Sequence, residues 1–222
     1  MDNVGELYDY SWFRSVYPES FTERKQRCKA LARALAFMGV RKALDVGCAT
    51  GYLVKAFLEV GIDAYGCEVS RDLIEHSPIK ERIILCNVEK EYLPFPPNYF
   101  DVVTALGVLE HLHNLRYAIT EIRRVLTPNG YFLIEVPEPS LDLSPTHVVK
   151  MDRKSWDDII CKNGFKKSHA GWLLSLMLLS TAIETLSTKS VKIPHYLPVR
   201  LKGTPSLFSH RLLFKKVSEE VG

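Results

Sequence analysis

The sequence predicts an α/β fold built on a doubly wound, mostly parallel sheet. Two observations carry this reading. From Lys42 to Val136 short apolar runs of strand length alternate with helical segments, and glycine or proline punctuates the changes. At 222 residues the chain can bury one sizeable core, without disulfide or metal support. Strands that alternate with helices pair in parallel through right-handed crossovers, with helices on both faces.

The elements follow in order. Residues 1–19 read as irregular and aromatic, with Tyr8, Tyr10, Trp12, Phe13 and Tyr17 ahead of Pro18. Ser20 and Glu23 fit a capping box for an amphipathic helix over 20–38, stopped by Gly39. Strands are expected at 43–46, 64–67, 83–86, 100–105 and 131–136. Helices are expected over 52–60, from Ser70 to before Pro78, and over 114–126. In the tail, 152–163 reads as helix, with a strand after Gly164, an apolar helix over 173–187 and a last strand over 208–217. These tail elements are expected at the far edge of the same sheet, so residues 1–222 read as one domain, with an insertion over 172–206.

Composition narrows the class. The five cysteines (Cys28, Cys48, Cys67, Cys86 and Cys161) form no Cys-x-x-Cys pair and read as reduced thiols. The N-terminus has no basic start followed by an apolar run, and the longest apolar-dominated run, Trp172 to Ile183, is too short to cross a bilayer. A cytoplasmic location is the expectation. His111 and His113 have no third ligand nearby in sequence, so no metal is expected. The net charge of +3 is uneven: residues 159–218 carry +9 and the remainder −6. Such a basic segment suits an anionic substrate or surface.

Ligands on a doubly wound sheet sit beyond the carboxyl ends of its strands. There the first strand runs through Asp45 into Gly47-Cys48-Ala49-Thr50-Gly51, whose glycines let backbone approach a ligand closely. The helix that follows favours negative charge at its start. Glu68 closes the second strand, where an acid can accept both hydroxyls of an adenosine ribose. Ala49 and Tyr52 stand where a dinucleotide fingerprint needs glycine, and no Gly-Lys-Ser/Thr is present. A ligand with a ribose but no phosphate fits this pattern better.

These residues carry a resemblance. Leu44-Asp45-Val46-Gly47-Cys48-Ala49-Thr50-Gly51-Tyr52-Leu53 resembles motif I of the class I S-adenosylmethionine-dependent methyltransferases, and Gly66-Cys67-Glu68-Val69-Ser70 resembles their second-strand acid motif. Leu93-Pro94-Phe95, Phe100-Asp101-Val102-Val103 and Val108-Leu109-Glu110-His111-Leu112 resemble the branch that contains quinone-biosynthesis methyltransferases. Arg124-Val125-Leu126-Thr127-Pro128-Asn129-Gly130 is similar to the family's turn before the fifth strand. The likeness covers roughly residues 40–136.

The resemblance implies a Rossmann-like, seven-stranded sheet with an antiparallel last strand, and S-adenosylmethionine as cofactor with S-adenosylhomocysteine as product. By position, Asp45, Gly47, Cys48, Ala49 and Gly51 would surround the methionine end, Glu68 would hold the ribose and Val69 would pack on adenine. Asn87, Val88 and Leu106 would complete the pocket, with Asn87 in place of a frequent Asp. His111 is the candidate general base, Glu110 and His147 are weaker ones, and Tyr8, Trp12 and Phe13 would form a lid within residues 1–38. The activity implied is methyl transfer to an oxygen or nitrogen (less readily a carbon) of a small molecule, with residues 172–206 as substrate cover or dimer contact; an RNA or protein methyltransferase of the same family, or a protein that binds S-adenosylmethionine without catalysis, is the alternative. Thr104-Ala105-Leu106-Gly107 stands where base-amino nucleic-acid methyltransferases carry Asn/Asp-Pro-Pro-Tyr, so nucleic acid is disfavoured as substrate.

Overall fold

The computed structural model describes residues 4–16, 21–142, 144–170 and 209–217. The segment 171–208, which holds the apolar helix and the cover expected at 172–206, lies outside the described residues, as does Ser20 of the expected capping box.

In chain order the elements are α1 (Val4–Leu7), α2 (Tyr10–Val16), α3 (Phe21–Phe37), β1 (Lys42–Val46), α4 (Tyr52–Glu59), β2 (Asp63–Glu68), α5 (Arg71–Glu75) and β3 (Ile83–Leu85). There follow β4 (Phe100–Leu106), α6 (Leu115–Val125), β5 (Leu126–Pro137), α7 (Arg153–Lys162), β6 (Phe165–Lys167) and β7 (Ser209–Lys216). The seven strands form one sheet in the order β3-β2-β1-β4-β5-β7-β6. The first five run parallel, and β7 lies antiparallel between β5 and β6. The doubly wound, mostly parallel, seven-stranded fold with an antiparallel last strand is therefore as expected.

Two-residue periodicity sorts the strand side chains onto two faces. Ala43, Val102, Leu133 and Leu213 pack with Leu31, Leu35, Val54 and Phe57 of α3 and α4. Their neighbours Leu44, Val103, Phe132, Ile134, Leu212 and Phe214 pack with Ile119, Ile122, Trp156 and Ile160 of α6 and α7. Both faces are thus covered, which is why β1 is almost continuously buried.

Two readings need correction. The N-terminal arm, expected to be irregular, contains helices α1 and α2. Both are short, so neither shows a period long enough to detect in sequence. Strand β5 starts five residues earlier than expected, because Leu126 already pairs with Phe100 across an irregular step. Asn129, at φ 63°, turns the chain there despite the preceding Pro128.

Close packing between β1 and β2 depends on one glycine. A Cβ at Gly66 would lie 2.4 Å from Cys48 Sγ and 3.2 Å from Val54 Cγ2. Gly66→Ala should destabilise the protein by about 1–3 kcal/mol through overpacking. Adding Cys48→Ala should return part of that loss, as read by urea denaturation of the single and double variants.

Candidate active site

The strand order reverses between β1 and β4, which places a crevice beyond their carboxyl ends. Register aligns Asp45 with Gly66 on one side and Thr104 on the other. The turn after β1 bends through three left-handed residues, Gly47 (φ 66°), Ala49 (φ 49°) and Gly51 (φ 78°). Gly47 is exposed, and a Cβ there would strike Val108 at 2.4 Å. Only glycine lets the turns after β1 and β4 approach so closely.

Glu68 ties the first two strands together at this end. One carboxylate oxygen accepts the N–H of Ala49 at 2.8 Å. The other accepts from Val69 and Ser70 at 2.8 and 2.9 Å. Burial raises its pKa, and these three N–H donors oppose the rise. Asp45 lies deeper, with Thr104 Oγ1 donating to it at 2.5 Å. Burial pushes its pKa up to about 7, against the Thr104 hydrogen bond and with help from the Glu68 charge.

The other expected contacts divide. Val69 and Leu106 are half-buried at the ends of β2 and β4, and Val88 is buried in the core cluster that packs α6 and α7 on the sheet. Asn87 closes a turn, its Oδ1 accepting from Glu89 N at 3.2 Å, and a second lone pair is left for a donor. Cys48 differs: its thiol packs against Gly66, and its N–H donates to Cys67 O at 3.2 Å. Its side chain serves the packing of β1 on β2.

The loops after β4 and β5 meet over the same crevice. The N–H groups of Val148 and Val149 both donate to Glu110 O, at 2.9 and 3.0 Å. His111 and His147 rings contact edge to face with centroids 4.6 Å apart. His113, the expected neighbour of His111 in sequence, is exposed instead, and its backbone N–H donates to Glu89. His147 Nδ1 pairs with Asp142 Oδ1 at 2.6 Å. Burial and the neighbouring His147 lower the His111 pKa. Burial pushes the Glu110 carboxyl up to about 8, reinforced by Glu135 and Asp142.

The N-terminal arm crosses this mouth. A Cβ at Gly5 would lie 2.6 Å from Val69 O, so α1 rests on the backbone just past Glu68. Tyr8 Oη is 3.1 Å from His111 Nδ1 and its ring packs edge to face on Trp12. Tyr10 stacks on His76 at 4.2 Å, and its N–H donates to Asp72 at 2.8 Å.

Sequence reasoning missed Glu89, Asp142 and Thr50. Glu89 Oε2 accepts from His113 and Asn114 N–H at 2.7 and 3.0 Å, so the loop after β3 holds the loop after β4. Asp142 carries a sequence signal in hindsight, an acid five residues before His147 and beyond a strand end. Thr50 Oγ1 is buried without a hydrogen-bond partner.

Residues 44–134 match a family model described as a methyltransferase domain. The chain is 34% identical over 113 residues to the ubiquinone/menaquinone biosynthesis C-methyltransferase UbiE of Cupriavidus taiwanensis, spanning 45% of this chain and 46% of that protein. The Burkholderia mallei UbiE is 35% identical over 103 residues, 42% of each chain. The match thus spans less than half the length of these curated relatives. Among solved structures, an Archaeoglobus fulgidus SAM-dependent methyltransferase superposes with TM-score 0.61 at 19% identity, covering 94% of this chain and all of that one. The [4+2]-cyclase SpnF superposes with TM-score 0.54 at 21% identity, covering 81% and 76%. One fold carries both reactions, so the reaction has to be read from the site.

S-adenosylmethionine is the cofactor of such methyltransferases, and the residues at this crevice fit it. Gly47 offers bare backbone, Thr50 Oγ1 lacks a partner, and Glu68 keeps acceptor capacity beyond its three donors. A cationic ammonium or sulfonium beside Asp45 would favour its charged form.

The raised Asp45 pKa fixes a sign. Its contribution to stability is full below the unfolded value of 3.8 and is lost as pH rises to about 7. Asp45→Asn keeps the acceptor for Thr104 and removes the buried charge. It should stabilise the ligand-free protein by about 2 kcal/mol at pH 8, from a ceiling of about 4. The gain should shrink as pH falls toward 4, as read by thermal melts across that range.

Proposed function

We propose that this protein transfers the methyl group of S-adenosylmethionine to a small-molecule acceptor. The observation that carries the proposal is the meeting of Glu68 with the bare turn at Gly47 and Ala49 beneath the arm that carries Tyr8. The acid suits the ribose hydroxyls, the turn suits the methionine end, and the sequence carries no Gly-Lys-Ser/Thr for a phosphate. Val69, Asn87, Val88 and Leu106 frame the adenine side in this reading, while Asp45 and Gly51 shape the turn from below.

Methyl transfer asks the protein chiefly to align two reactants and to exclude water, and alignment alone can supply roughly 7–11 kcal/mol in favourable cases. Helices α1 and α2 are the lid in this reading. Gly5 sits on Val69, and Tyr8 reaches His111 on the opposite side of the crevice. His111 has Nδ1 engaged by Thr146 O at 3.1 Å, so its Nε2 is the nitrogen left to face an acceptor, the place the sequence reading gives to a general base. An acceptor oxygen or nitrogen is the reading drawn from the sequence. A carbon is the second, favoured by the C-methyltransferase names of the relatives. A cytoplasmic setting, an anionic acceptor and a homodimer complete the proposal. No helix among the described residues is long and apolar enough to cross a membrane.

Calorimetry tests the cofactor half. S-adenosylmethionine and S-adenosylhomocysteine should bind at micromolar concentration and NAD should give no heat. Glu68→Ala should weaken both by at least tenfold, about 1.4 kcal/mol. An unchanged affinity removes Glu68 from the site. Acceptor screening with labelled methyl groups tests the transfer itself.

A further inference from the structure

Three side chains at the mouth of the crevice form a set that methyl transfer alone does not require. Glu110, His111 and His147 each offer one donor atom, and these atoms lie within 4.8 Å of one another. Glu110 comes from the loop after β4, with His111 beside it, and His147 comes from the loop after β5. The backbone bonds from Val148 and Val149 to Glu110 O lock the two loops together.

The hydrogen bonds around the set resemble those of a ligand shell. His147 Nδ1 is held by the Asp142 carboxylate at 2.6 Å. His111 Nδ1 is held by the Thr146 carbonyl at 3.1 Å. A carbonyl can only accept, so Nδ1 of His111 carries the proton, and Tyr8 Oη stands beside it. Each ring therefore keeps its free lone pair on Nε2. A carboxylate or carbonyl on the far nitrogen is the usual way to fix tautomer and orientation of a metal-ligating histidine. Glu110 supplies the independent sign: it is 3% exposed, and its Oε2 is buried with no hydrogen-bond partner. Such an oxygen is costly unless a cation or donor meets it. Asp142 and Glu135 add negative charge around it.

We propose that Glu110, His111 and His147 bind one divalent transition-metal ion of the zinc class, at the acceptor end of the crevice. Two imidazoles and one carboxylate favour such an ion over magnesium or calcium, which take oxygen donors. Three protein ligands leave a coordination position open. That position faces the side on which an acceptor enters, and it suits an acceptor oxygen. The use of the ion in catalysis rests on the methyl-transfer reading, whereas its binding does not. Under this assignment the lone pair of His111 holds the metal instead of taking a proton.

The test uses the full chain carrying Cys161→Ser, which removes an exposed thiol that could capture metal. After chelator treatment, cobalt(II) is titrated and zinc(II) is used to displace it. One equivalent of cobalt should bind, with visible absorption bands. The proton NMR spectrum of the cobalt form should show two hyperfine-shifted, exchangeable imidazole N–H signals, one for each Nδ1–H. Glu110→Gln and His147→Ala should each weaken zinc binding at least tenfold, while His147→Ala still binds S-adenosylhomocysteine. Absence of stoichiometric cobalt, fewer than two such signals, or zinc affinity unchanged in both variants overturns the site. If metal binding fails while S-adenosylhomocysteine binds, only this inference falls. If S-adenosylhomocysteine fails to bind, the proposed function falls instead.

Discussion

The open end of the sheet depends on one buried carboxylate. Glu68 accepts three backbone N–H groups, from Ala49 on one loop and from Val69 and Ser70 on the next. Hydrogen bonds to a charged acceptor are about twice as strong as neutral ones. They hold the turn after β1 in its left-handed bend, Ala49 included, although Ala49 has a Cβ. The same contact brings the acid and the bare turn to one point. A neutral side chain at position 68 would loosen the turn as well as remove the acid.

Several segments far apart in sequence act as one structure. Arg124 on α6 donates to Phe95 O and Leu93 O at 2.8 Å each, and pairs with Glu121 at the same distance. Glu121 also accepts from Leu93 N at 3.1 Å. The Leu93-Pro94-Phe95 segment is therefore clamped by the helix that precedes β5. At the other end of the sheet Lys216 Nζ, nearly buried, donates to Asn98 Oδ1 and Leu126 O. These bonds seat β7 beside the start of β5, so the late-arriving strand completes the frame that supports the crevice.

The N-terminal arm and the loops after β4 and β5 meet at His111. The ring is touched by Tyr8 from the arm, by Thr146 from the loop after β5 and by His147. Movement of the arm would therefore be felt by both loops.

Local chemistry made much of this protein legible before any coordinates. Strand and helix runs, the glycines at 47 and 51 and the acid at 68 each act through backbone conformation or position within a few residues, and all of them stand where the alternating pattern places them. The N-terminal helices were hidden because they are too short to show a period, and they are held by contacts to Val69, Asp72 and His111, which are distant in sequence. Cys48 read as a cofactor neighbour because its place in the turn is right, yet its thiol turns into the gap that Gly66 leaves. The grouping of Glu110, His111 and His147 was invisible for another reason. Which loop ends meet depends on strand order, and strand order is settled by packing across the whole sheet rather than by any local run of residues.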